Sequence, residues 1–211
     1  MAFLTLFFRA ILLAALLAPA TPGAAACTVM IFGDSLSAAY GIPSARGWVA
    51  LLGERIASAG LDWRVVNASQ SGETTAGGLR RLSADLERHT PGVVVIALGA
   101  NDALRGQPIA ATRANLEQMI RLARKARARP VLVGFMIPPN YGIDYAREFR
   151  ELYAQLAKRE NLPLVPFLLE GIAERRELFQ GDQLHPTAEA QPRILENVWP
   201  VLEPLLGSRP S

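Results

Sequence analysis

The chain has 211 residues, of which 50% are hydrophobic and 19% charged, with a formal net charge of +3. That length suits one domain with a real core and is short for two; the apolar share excludes a disordered chain, and so small a charge gives nucleic acid no footing. Cys27 is the only cysteine and there are only two histidines, so an internal disulfide is excluded and no cluster marks a structural metal.

Residues 1–26 carry one charge, Arg9, before an apolar run over 10–18. Pro19 and Pro22 break the run, and Ala24-Ala25-Ala26 follows. This is the layout of a cleaved secretory leader, and the run is far short of the roughly 20 apolar residues a spanning helix needs. The mature domain is therefore expected over 27–211, in the periplasm. Cleavage after Ala26 makes Cys27 the first mature residue, which opens an alternative as a lipoprotein acylated there. Three alanines stand before Cys27 where such leaders usually carry a leucine, so lipidation is the minority reading.

From residue 28 onward apolar runs alternate with amphipathic segments. Strands are predicted at 28–32, 63–67, 93–98, 131–136 and 164–167. Helices are predicted at 48–59, 75–89, 109–128, 144–160 and 187–206, the last with Pro192 near its start and Pro200 late, where a kink is expected. Strands that are apolar throughout, alternating with helices, imply a parallel sheet covered on both faces. In such sheets sites form beyond the carboxyl ends of the strands. Basic residues cluster over 121–129. The functional reading is a weak contact with an anionic membrane surface; the ordinary one, preferred here, is the solvated face of a helix.

The strand exits are polar. The first runs into Gly33-Asp34-Ser35, the second into 67–72, the third into Gly99-Ala100-Asn101-Asp102 and the fourth into 138–142. Gly, Asp and Ser are ordinary turn residues, yet a serine at the carboxyl edge of a sheet is also where a nucleophile is placed. His89 closes the second helix and is assigned to capping its last carbonyls. His185 follows Asp182 by three residues in a polar loop, a spacing that lets one loop present a carboxylate to Nδ1 and leave Nε2 facing a serine. The same stretch also reads as a helix start, with Asp182 and Thr187 capping and Pro186 in the first turn. The order Ser, Asp, His is that of sheet-based hydrolases, but no Gly-x-Ser-x-Gly elbow surrounds Ser35.

Gly33-Asp34-Ser35-Leu36, Gly72, Asn101 and Asp182-x-x-His185 resemble, in order, the four blocks of the SGNH (GDSL) hydrolases. The stretches NASQSGETTAGGL, GANDALRG, PPNYG, LPLVPFLLEG and HPTAEAQPRI extend the resemblance across the domain, toward the periplasmic acyl-CoA thioesterase and lysophospholipase branch of that family. Two positions depart from the usual pattern: Ala100 stands where many relatives have Gly, and Thr187 where Asn is frequent. The resemblance implies an α/β fold, a three-layer α/β/α flavodoxin-like arrangement around a five-stranded parallel sheet. It implies Ser35 as nucleophile, His185 as general base and acid, and Asp182 as its orienting carboxylate. It places the oxyanion between the backbone N–H groups of Ser35 and Gly72 and the side-chain amide of Asn101, with no cofactor and no metal. Asp34 is expected to brace its loop by accepting backbone N–H bonds.

Leu104, Met136, Ile137 and Pro139 are the candidate acyl contacts, with plain packing as their alternative role. The implied activity is hydrolysis of small-molecule acyl esters and thioesters, lysophospholipids among them, by a monomer with a shallow site of broad specificity. A carbohydrate O-acetylesterase of the same superfamily is the alternative activity. A non-catalytic binding protein that kept the fold would be expected to have lost Ser35, Asn101 or His185.

Overall fold

The computed structural model describes residues 27–207; the leader expected at 1–26 and residues 208–211 lie outside the described residues. Five strands, β1 (Cys27–Gly33), β2 (Trp63–Asn67), β3 (Val93–Ala97), β4 (Arg129–Val133) and β5 (Leu164–Val165), form one sheet in the order β2-β1-β3-β4-β5. All four pairings are parallel. The helices are α1 (Trp48–Ser58), α2 (Thr75–His89), α3 (Ala100–Leu104), α4 (Ile109–Lys125), α5 (Ile143–Glu160) and α6 (Gln191–Leu206).

The layering follows from the handedness of parallel crossovers. The chain moves one way across the sheet from β1 to β2 and the other way from β2 through β3, β4 and β5. The first connection therefore lies on one face and the later ones on the opposite face. Accordingly α1 packs with α6, and α2 packs with α4, which packs with α5. β3 is buried along its whole length at the centre, as its unbroken apolar run requires. The direction of winding reverses between β1 and β3, and a crevice opens at such a point. Ser35 leaves β1 there.

Several predicted boundaries move for identifiable reasons. β4 starts at Arg129 and ends at Val133 rather than spanning 131–136. Gly134 N–H donates to the Val165 carbonyl at 2.8 Å, and a Cβ on Gly134 would stand 2.3 Å from the Pro166 carbonyl oxygen. The backbones approach too closely there for any other residue, and beyond that crossing 135–137 leaves the ladder. β5 keeps only two residues of the predicted 164–167, because Pro166 has no N–H to continue the pairing. The predicted helix over 187–206 divides into a 3₁₀ turn, Ala188–Ala190, and α6, with Pro192 in the first turn and Pro200 and Pro204 within. The helix predicted to run to 128 stops at Lys125, and Arg127 takes φ 60°. The short helix α3, which no apolar period announced, carries Asn101.

The basic cluster is dispersed. Arg124 pairs with Glu160 at 2.8 Å, and Arg129 folds back over the Trp63 ring and donates to the Leu205 carbonyl. Only Arg121, Arg124 and Lys125 of this cluster lie on α4; Arg127 is in the turn that follows and Arg129 opens β4, so the expected single helix face is divided among three elements.

Candidate active site

Ser35 sits half-buried just past the end of β1. Its loop is held from below: the Trp48 indole N–H of α1 donates to the Leu36 carbonyl at 3.1 Å. Trp48 N–H in turn donates to Gln191 Oε1 at 3.0 Å, which ties the start of α1 to the start of α6. Ser35 Oγ lies 2.9 Å from His185 Nε2, and His185 Nδ1 lies 2.6 Å from Asp182 Oδ2.

The protonation pattern follows from Asp182. Its Oδ1 accepts the backbone N–H groups of Leu184 and His185 at 2.9 and 3.0 Å. The His185 backbone N–H, the imidazole and the Leu184 N–H, in that order, hold its carboxyl down at a pKa of about 2. An ionised carboxylate only accepts, so Nδ1 carries the proton and Nε2 is left as an acceptor for the Ser35 hydroxyl. The three residues expected to act together are brought together. His89 is the last residue of α2, at the opposite rim of the sheet, and the cap there is made by Thr90, whose N–H donates to the Leu86 carbonyl.

The expected oxyanion donors sit on three neighbouring exits. Asn101 is on α3, where its Nδ2 donates to Asp34 Oδ2 at 3.3 Å and to the Glu73 carbonyl at 3.1 Å. Gly72 has φ +77°, a conformation that glycine adopts freely, and a Cβ there would meet nothing closer than 3.9 Å. Among the described residues, neither Ser35 N–H nor Gly72 N–H donates to a protein acceptor. Backbone donors without a protein partner are what a developing anion requires; Ser35 and Asn101 line the cleft over the nucleophile, and Gly72 stands outside that lining, on the neighbouring exit of β2.

Asp34 does brace the loop, accepting Leu36 N–H at 3.0 Å, and it also fixes the Asn101 amide. It is 1% exposed, and burial raises its pKa from 3.8 to about 7 against the lowering effect of the Leu36 N–H, His185 and Asn101. The raised value sets a sign. The folded protein holds this proton at pH values where the unfolded chain has lost it, so the contribution of Asp34 to stability is complete below pH 4 and is lost as the pH rises through about 7. Comparing urea unfolding of the wild type and Asp34→Asn from pH 4 to pH 8 is expected to show the wild type losing more stability, by on the order of a few kcal/mol.

A cleft of about 420 Å³ opens over Ser35, Asn101 and His185. Leu104, Met136 and Ile137 line it as expected. Pro139 does not: Pro138 takes its place on the wall, and Pro139 faces an adjoining groove. Pro138 is the last extended residue, and Pro139 opens a 3₁₀ turn over Pro139–Tyr141 that carries it away from the cleft. Leu36, Phe135, Phe167, Leu169, Phe179 and Leu184 complete the apolar lining. Most of these come from the stretch between β5 and α6, of which the sequence marks only the Asp182–His185 loop.

The sequence also left Gln180 unremarked. Its Nε2 donates to the Tyr40 carbonyl at 2.8 Å and to the Pro186 carbonyl at 3.1 Å, and its backbone N–H donates to the His185 carbonyl at 2.8 Å. It thus staples the loop of the nucleophile to the loop of the base. Tyr40 completes the contact, its ring centroid 4.4 Å from that of His185. Gln180→Ala is expected to lower kcat by about tenfold or more by loosening the Ser35–His185 distance. Steady-state kinetics beside a melting curve test this; an unchanged kcat would show that the loops hold each other without it.

The profile of the GDSL-like lipase/acylhydrolase family matches residues 31–192. The chain belongs to the GDSL-like lipase/acylhydrolase family. It is 50% identical to Esterase TesA of Pseudomonas aeruginosa over 200 residues, 94% of this chain and 100% of that protein. It is 40% identical to thioesterase 1/protease 1/lysophospholipase L1 of Escherichia coli K12 over 184 residues, 87% of each. Among solved structures, the psychrotrophic esterase EstA from Pseudoalteromonas sp., inhibited by monoethylphosphonate, superposes with a TM-score of 0.81 at 40% identity, covering 86% of this chain and 99% of that one. Within this GDSL-like fold, the signature Gly-Asp-Ser closes β1, and the Asp182–His185 loop reaches Ser35 from a position 150 residues away.

Proposed function

We propose that this acylhydrolase is a serine esterase and thioesterase working through an acyl-enzyme. The observation that carries the reading is the unbroken line Asp182–His185–Ser35, at 2.6 and 2.9 Å, opening into an apolar cleft. Ser35 Oγ attacks the acyl carbonyl as His185 Nε2 takes its proton. The carbonyl oxygen, now negative, is held by the N–H groups of Ser35 and Gly72 and by Asn101 Nδ2. His185 then gives the proton to the departing oxygen or sulfur, and a water activated by the same nitrogen releases the acid. Asp182, with its pKa near 2, stays charged throughout and stabilises the imidazolium.

The names of the relatives, an esterase and a thioesterase that is also a lysophospholipase, support acyl esters, thioesters and lysophospholipids as substrates. The apolar lining from Leu36, Leu104 and Phe167 favours an acyl chain over the acetyl group of a decorated sugar. The test is a panel of p-nitrophenyl octanoate, octanoyl-CoA and an acetylated glycan. Turnover of the octanoyl compounds is the expected result, and turnover of the glycan alone would overturn it. Residues 1–26 fit an export leader that places the enzyme in the periplasm, a reading that exported protein still beginning at Met1 would overturn.

A further inference from the structure

Met136 and Ile137 form a ridge with a concavity on each side. One flank lines the cleft over Ser35; the other lines a groove of about 230 Å³ whose remaining walls are Pro139, Ile143, Ala146, Arg147 and Arg150. Ile143, Arg147 and Arg150 recur at i, i+4 and i+7 and so share one stripe of α5. Ile143 is 75% exposed, the most exposed of the large apolar side chains among the described residues. Arg147 is lightly held by Asp144, with Nη2 2.7 Å from Oδ1 and both side chains in solvent. Arg150 makes no hydrogen bond or ion pair among the described residues, and no carboxylate lines the groove. A groove that shares the Met136–Ile137 ridge with the cleft over Ser35, and is rimmed by two guanidinium groups of which one is uncommitted, matches a leaving group that crosses the ridge and ends in a phosphate. The planar fork of arginine suits phosphate oxygens.

We infer that this groove is a leaving-group subsite for phosphate, with Arg150 as its principal ligand and Arg147 as its second. The inference rests on the serine-esterase reading and narrows it: esters and thioesters whose leaving group bears a phosphate are favoured over neutral ones. The phosphate belongs to a glycerophosphate or to a phosphorylated pantetheine carrier.

Matched substrates separate these. The wild type is assayed on 1-octanoylglycerol against 1-octanoylglycerol 3-phosphate, and on octanoyl-pantetheine against octanoyl-CoA. The phosphate-bearing member of at least one pair is expected to have the lower KM. Arg150→Ala, alone and with Arg147→Ala, is expected to raise that KM by about tenfold while the neutral member moves by less than about twofold. Arg150→Lys, which keeps the charge and loses the fork, is expected to fall between. The pair that responds names the source of the phosphate. Equal KM changes within both pairs, or no change in either, overturn the subsite while continued hydrolysis of the neutral esters leaves the esterase reading standing. Failure to hydrolyse any member of either pair overturns both.

Discussion

Ser35→Ala is expected to lower kcat on p-nitrophenyl octanoate by about 10⁴-fold to 10⁶-fold with the fold intact. Among the described residues, Ser35 Oγ is the hydroxyl hydrogen-bonded to His185 Nε2, at 2.9 Å, at the end of the line from Asp182. His185→Ala is expected to cost about as much, and the double variant no more than either alone, because nucleophile and base act as one unit. A phosphonate ester adds a second readout, since it should label the wild type with one equivalent and the Ser35→Ala protein with none. Full activity in Ser35→Ala would sink the nucleophile assignment outright.

Asn101→Ala is expected to lower kcat by about 10²-fold to 10³-fold with little change in KM, the pattern of a donor used only in the transition state. In the resting site both Asn101 Nδ2 hydrogens are engaged, one with the Glu73 carbonyl at 3.1 Å and one, more loosely, with Asp34 Oδ2 at 3.3 Å. The oxyanion is expected to draw on the looser bond, so the amide is held ready without being locked. Removing it also strips Asp34 Oδ2 of its amide donor, and a drop in stability of about 1 kcal/mol is expected alongside. Kinetics and denaturant unfolding on the same preparation check both effects. A change confined to KM would mean that Asn101 binds substrate rather than the transition state.

Much of this architecture can be read before any coordinates. Val93–Ala97 is apolar at every position because it is covered on both faces, and that uniformity marks a central parallel strand. Ser35, Asp182 and His185 stand out because each sits at a break between apolar segments, in the chain order of a hydrolase. Strand ends are harder. Where β4 stops depends on how near Gly134 comes to Pro166, and a ladder's length is a property of two strands at once. Pro138 and Pro139 are adjacent in a repeated residue type, so nothing in the sequence says which one faces the cleft. The wall from Phe167 to Leu184 has no period, since its residues serve the cleft singly between turns. Gln180 carries no signal at all: a lone glutamine in a polar loop gains its role only from the two carbonyls that it bridges.

The nucleophile stands near the start of the folded domain and its base near the end, 150 positions apart. They meet only after the last helix has docked beside the first, through contacts such as Trp48 with Gln191. A nascent chain still emerging from the ribosome holds its serine without a partner and is chemically inert. If such a chain is threaded unfolded through a membrane, the cell that makes it meets no working hydrolase until the far side is reached.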